Sequence, residues 1–108
     1  MDKTQKQLHQ MKAEIIRAAA HPIRVAVIEC LRDGERCVCE ITEDVGAERS
    51  NVSRHLAVMT KAGLLSSRKE GLMVFYRLRT PCILKFLSCV EECLKERLRE
   101  SSAILQRL

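Results

Sequence analysis

Two cysteines flank a single valine in RCVCEI (36–41), and four more, Cys30, Cys82, Cys89 and Cys93, follow in the same 108-residue chain. A thiol pair at this spacing has three chemistries open to it. It can grip a soft metal or metalloid ion, close a reversible sulfur–sulfur bond, or pack as small apolar filler. In a regular helix, residues two apart point about 200° from each other and cannot share a ligand. At an irregular first turn both sulfurs can converge, and a helix N-terminus favours the thiolate that binds soft ions. Cys82, Phe86, Cys89 and Cys93 follow four-three-four spacing, which lines them on one helical stripe. Cys30 falls beside inward-reading Leu31 and reads as core, with a role as third thiolate near Cys37 as the alternative.

The composition sets what can position these thiols. With 46% hydrophobic and 31% charged residues, the chain reads as one soluble globular domain over 1–108. Aromatics make up 3% and Trp is absent, so the core must be aliphatic, which suits packed helices. A chain this small buries a limited core, and a large dimer interface is expected. The net charge of +5 permits a polyanionic partner without requiring one. Met1–Lys12 is polar and unlike a signal peptide, and no apolar run approaches the roughly 18 residues that cross a membrane. The expectation is a cytoplasmic protein with no membrane partner. Thiols stay reduced there, so six cysteines favour metal binding or redox chemistry over a disulfide framework.

Hydrophobic periodicity orders the elements. A first helix spans 6–19 with Leu8, Met11, Ile15 and Ile16, and His21-Pro22 breaks it. Pro22 opens a second helix to about Arg32, ended by Asp33-Gly34. A third helix, 38–45, closes at Gly46, and a fourth, with Ser50 as N-cap candidate, ends at Gly63. Residues 64–79 read as a β-hairpin turning at Gly71. A last helix, 81–106, carries Ile83, Phe86, Leu87, Val90, Leu94 and Leu98 on a stripe that needs a partner subunit.

The order α-α-α-α-β-β-α makes 38–62 a helix-turn-helix followed by a wing. The second helix of that unit would lie in the major groove, with Ser50, Asn51, Ser53, Arg54 and His55 at base edges and phosphates. Arg68 and Lys69, near the hairpin tip, suit phosphate contact.

These stretches together resemble the ArsR/SmtB family of metal-responsive winged-helix repressors. AHPIRVAVIECLRDGERCVCEI matches the family's opening pattern, SNVSRHLAVMTKAGLLSSRKEG its recognition helix and wing, and VFYRL its second wing strand. The resemblance covers about residues 13–98. It implies a mostly α fold with a small hairpin wing, and a homodimer formed through its first and last helices. It also implies operator DNA bound in the ion-free state and released on binding an inducer. Leu72 departs from the family's frequent Arg after the wing Gly.

The resemblance also frames the ligands. It makes Cys37 and Cys39 the primary metal site. Arsenic-sensing members often carry a third cysteine where this chain has Thr42. The N-terminal arm, from which some cadmium/lead sensors borrow cysteines, has none and offers only His9. Zinc sensors carry Asp-x-His and His-x-x-Glu on the last helix, where this chain has TPC (80–82) and CLKE (93–96). Cys82 and Cys93 thus form a secondary candidate across an antiparallel helix pair. Cys89 either joins them or packs.

The reading is a repressor induced by trivalent arsenic or antimony, then cadmium or lead, then zinc, which wants a fourth His or carboxylate ligand. A redox- or sulfide-responsive dithiol repressor of the same fold is the alternative. No Cys/His/Asn arrangement supports an enzyme, since His9, His21 and His55 are scattered. A metal buffer without DNA affinity remains a further class.

Overall fold

A computed structural model describes residues 1–108 as α1 (Lys3–Ala19), α2 (Pro22–Cys30), β1 (Arg36–Cys37), α3 (Val38–Val45), α4 (Arg49–Lys61), β2 (Leu65–Glu70), β3 (Met73–Leu78) and α5 (Ile83–Arg107). The five helices and the wing stand in the expected order, with one strand added. β1 pairs antiparallel with β3 (Arg36↔Tyr76, Cys37↔Phe75), so the hairpin is a three-stranded sheet in the order β1-β3-β2. A two-residue strand is too short to show alternation, and only its partner defines it.

Helix boundaries follow their caps. α1 starts before its first apolar residue because Asp2 accepts from the Gln5 N–H at 2.8 Å while the Gln5 side chain accepts from the Asp2 N–H at 2.9 Å. This reciprocal cap satisfies two otherwise unpaired donors. His21 caps α2, its Nδ1 accepting from the Ile23 N–H at 3.1 Å, and Pro22 takes the first helical position. α2 ends at Cys30, two residues short of the expected Arg32. Ser50 is not the N-cap of α4: Glu48 is, and Ser50 becomes an exposed residue of the first turn. α5 begins at Ile83, after a turn through Pro81 and Cys82.

The core is aliphatic, as the composition requires. Val27 and Ile28 of α2, Ile41 of α3, and Val52, Leu56 and Met59 of α4 are fully buried, closed over by Leu64, Leu65 and Leu78 from the sheet side. Leu56→Ala should therefore lower unfolding free energy by roughly 2–5 kcal/mol, from lost transfer energy and the cavity left behind. Chemical denaturation checks this as a lower midpoint at unchanged slope.

The two end helices contribute little to this core. α5 has no buried residue, and α1 buries only Ala18 and Ala19. Leu8, Met11, Ile15 and Ile16 on α1, and Phe86, Val90, Leu94 and Leu98 on α5, remain exposed on the single chain. No helix is long and apolar enough to cross a membrane.

Candidate nucleic-acid interface and thiol sites

The α3–α4 unit is a helix-turn-helix built on one reversal. Gly46 takes the left-handed conformation (φ 72°, ψ 29°) and its N–H closes α3 on the Thr42 carbonyl. Only glycine enters that conformation at little cost, so the turn is sharp and α4 leaves at a defined angle. Val52, Leu56 and Met59 then pin the inner face of α4, which fixes what its outer face presents. Ser50, Ser53 and Arg54 are exposed there. Arg54 Nη2 donates to Asn51 Oδ1 at 2.9 Å, so both side chains are held ready beside the serines.

His55 departs from this set. It is half-buried and turned toward α2, where its Nδ1 accepts from Arg24 Nε at 3.0 Å and its ring lies 4.3 Å from that of His21. Burial holds its pKa below the ordinary histidine range, with His21, Arg24 and Arg54 adding repulsion. His55 therefore ties α4 to α2, with its Nδ1 taken up by Arg24 and its ring set beside His21. Neither it nor Arg24 carries a sequence signal for this bond, because the two stand 31 residues apart.

The wing divides its two cations. Lys69, paired with Val74 on β3, is exposed and makes no ion pair. Arg68 is occupied. Its Nε donates to both Glu35 carboxylate oxygens at 3.1 and 3.0 Å, its Nη2 donates to Glu35 Oε1, and its Nη1 donates to Glu70 Oε2 at 2.7 Å. Its guanidinium carbon sits 4.5 Å from the centre of the Phe75 ring. Two carboxylates thus neutralise a cation that the sequence assigns to phosphate. The Arg68 hydrogen bonds hold Glu35 below the usual carboxylate range. Glu35 is a residue that sequence reasoning misses, since its partner lies 33 positions away.

The Cys-Val-Cys pair is split. Cys37 is the N-cap of α3 in extended backbone (φ −77°, ψ 161°) and is 4% exposed, whereas Cys39, inside the first turn, is exposed. The Cys37 N–H donates to Glu40 Oε1 at 3.2 Å. The Cys37 thiol and N–H, in that order, hold the Glu40 carboxyl below its ordinary range. Cys30 is half-buried in the last turn of α2, and burial, followed by a hydrogen bond to Asp44, pushes its thiol up to about 11. Asp44 in turn accepts from Arg36 Nη1 at 3.2 Å. Cys82, Cys89 and Cys93 are all exposed on or beside α5. Nowhere in the chain do three His, Cys, Asp or Glu side chains gather as a metal site. As folded, then, one subunit does not present a closed site for a three-coordinate ion, and Cys30 does not complete one with Cys37 and Cys39.

Comparison with known proteins agrees with this architecture. Residues 21–67 match the bacterial regulatory protein, arsR family. The HTH-type transcriptional regulator Rv0081 of Mycobacterium tuberculosis is 34% identical over 102 residues, covering 94% of this chain and 90% of that protein. Its crystal structure superposes with a TM-score of 0.75, over 86% of this chain and 94% of that one. The arsenic resistance transcriptional regulator ArsR1 of Pseudomonas putida is 47% identical over 47 residues, 44% of this chain and 37% of that protein. A homodimeric winged helix-turn-helix DNA-binding domain from Mycobacterium bovis shares the fold, with a TM-score of 0.78 at 24% identity over 93% of each chain. A helix-turn-helix, a wing and homology over nine-tenths of both chains thus agree: the chain belongs to the arsR family of bacterial regulatory proteins, ArsR/SmtB-type DNA-binding transcriptional regulators that are not enzymes.

Proposed function

We propose that the protein is a homodimeric repressor that grips operator DNA in its ion-free state and lets go when a thiophilic ion occupies Cys37 and Cys39. The observation that carries the DNA half is the two-sided α4. Val52, Leu56 and Met59 are fully buried, while Ser50, Ser53 and Arg54 stand exposed with Arg54 braced by Asn51. These four polar residues are suited to base edges and nearby phosphates, and Lys69 to the backbone beside them. The dimer is supported by the uncovered stripes of α1 and α5 and by the homodimeric winged domain of the same fold.

Cys-Val-Cys, without a neighbouring histidine, favours trivalent arsenic or antimony as the inducer, and the similarity to an arsenic resistance regulator supports that choice. Cadmium or lead ranks second and zinc third. The split pair adds a condition: both sulfurs meet on one ion only if the first turn of α3 opens. That turn leads into the helix-turn-helix, so an ion favouring the opened turn weakens DNA binding by the same factor that DNA weakens the ion. The exposed Cys39, Cys82, Cys89 and Cys93 favour a second reading, a redox- or sulfide-responsive regulator of the same fold.

The test is anisotropy binding of the purified protein to a duplex selected from random DNA, titrated in separate arms with arsenite, cadmium, zinc and an oxidant. Arg54→Ala should lower affinity for the selected duplex by roughly 1–3 kcal/mol and relax sequence preference. Lys69→Ala should weaken all duplexes alike and flatten the log–log salt dependence by about one unit. Unchanged binding in both variants would refute the assignment of α4 and the wing to DNA.

A further inference from the structure

The wing arginine and the primary thiol are joined by a short physical path. β3 lies between β1 and β2, and Phe75 is its crossing point: it pairs with Cys37 on one side and with Arg68 on the other. Directly paired residues of antiparallel strands project from the same face, so Cys37, Phe75 and Arg68 form one row across the sheet. Arg68 reaches back over that row. Its guanidinium covers Phe75 at 4.5 Å and grips Glu35, two residues before Cys37, through two nitrogens: Nε, shared between both carboxylate oxygens, and Nη2. Glu70 accepts its remaining nitrogen at 2.7 Å. The last residue of β1 is also the N-cap of α3, so the strand that the arginine holds opens directly into the helix-turn-helix.

We propose that Glu35 and Arg68 form a latch that couples the Cys37 segment to the wing, with Glu35 acting as a positioning residue for both. β1 contributes only two residue pairs to the sheet, too few to hold register on their own, and the Glu35–Arg68 fork is what keeps them seated on β3. With the latch closed, Cys37 stays covered and Phe75 holds the wing strand at its DNA-binding angle. Displacement of residues 36–38 pulls Glu35 from Arg68, and the wing loses its brace. The coupling runs both ways: DNA on the wing protects Cys37, and an occupant of Cys37 loosens the wing. In its ion-dependent half, the latch rests on the reading of Cys37 as a sensor ligand.

The latch is tested without an inducer by the alkylation rate of Cys37. Iodoacetamide is applied to the full-length dimer and each cysteine is followed by peptide mass spectrometry. Glu35→Gln keeps the shape and removes the charge; Arg68→Lys keeps the charge and removes the fork. Each should raise the Cys37 rate at least about threefold through easier local opening, with the Cys89 and Cys93 rates unchanged. Selected operator duplex should slow Cys37 alkylation in the native protein and lose that effect in both variants. Arsenite should then lower DNA affinity at least about fivefold less in Glu35→Gln than in the native protein. A native Cys37 rate in both variants, or undiminished DNA protection in both, overturns the latch whatever arsenite does. Native protein that ignores arsenite while both variants uncouple Cys37 from DNA overturns the sensor reading and leaves the latch standing.

Discussion

Val90→Asp is expected to convert the protein to a monomer and to cut operator affinity sharply. Val90 is 47% exposed on the single chain, between Phe86 and Leu94, which lie one helical turn away on either side along the same stripe. Ile83, Leu84 and Leu87 are the α5 residues that pack against the subunit's own core and Val90 is not among them, so the substitution leaves that core intact. Its whole cost falls on the contact with a second copy. Sealing an unpaired carboxylate there costs several kcal/mol, and about 4 kcal/mol raises the dimer dissociation constant by roughly a thousandfold. A monomer reaches only one half-site, so DNA binding falls with assembly. Sedimentation measures the first effect and anisotropy the second, with circular dichroism reporting intact helices. A variant that remains dimeric and fully active shows that the α5 stripe is not the interface.

Replacing either cysteine of the pair by serine should abolish release by arsenite while leaving operator binding within about threefold of native, because a hydroxyl is a poor ligand for a soft ion. The local structure explains why the fold tolerates the change. Cys37 is the N-cap of α3, a position that serine fills at least as well, and Cys39 is exposed and packs against nothing in the core. Neither site contributes a side chain to the polar edge of α4. The comparison variant is the double Cys82→Ser/Cys93→Ser, expected to keep arsenite release and to lose only affinity for a second ion at the dimer contact. The opposite pattern, with the double variant deaf and Cys37→Ser and Cys39→Ser responsive, moves the sensor to α5. Release by oxidant alone, with every ion without effect, replaces the ion reading by the redox one.

The helices, the wing hairpin and the two-sided character of α4 are legible in the sequence. Those signals are local. Apolar spacing marks α4 through Val52, Leu56 and Met59, His21-Pro22 separates the first two helices, and Gly46 and Gly71 stand where the chain must take positive φ. The same periodicity shows stripes on α1 and α5 too apolar for one small chain to leave uncovered. Tertiary structure decided the rest, because it depends on residues that come together only after packing. β1 exists through its partner 40 positions away, Tyr76 opposite Arg36. That pairing holds Cys37 extended just before the first turn of α3, which sends one thiol of the pair inward and leaves the other in solvent. Arg68 reads in sequence as a free wing cation like its neighbour Lys69, yet the sheet register brings it to Glu35 and Phe75. His55 reads as part of the polar edge, yet the packing of α4 on α2 gives it to Arg24. Side-chain spacing along a helix names the face a residue shares, but only the crossing of two elements determines which distant charge or ring occupies that face.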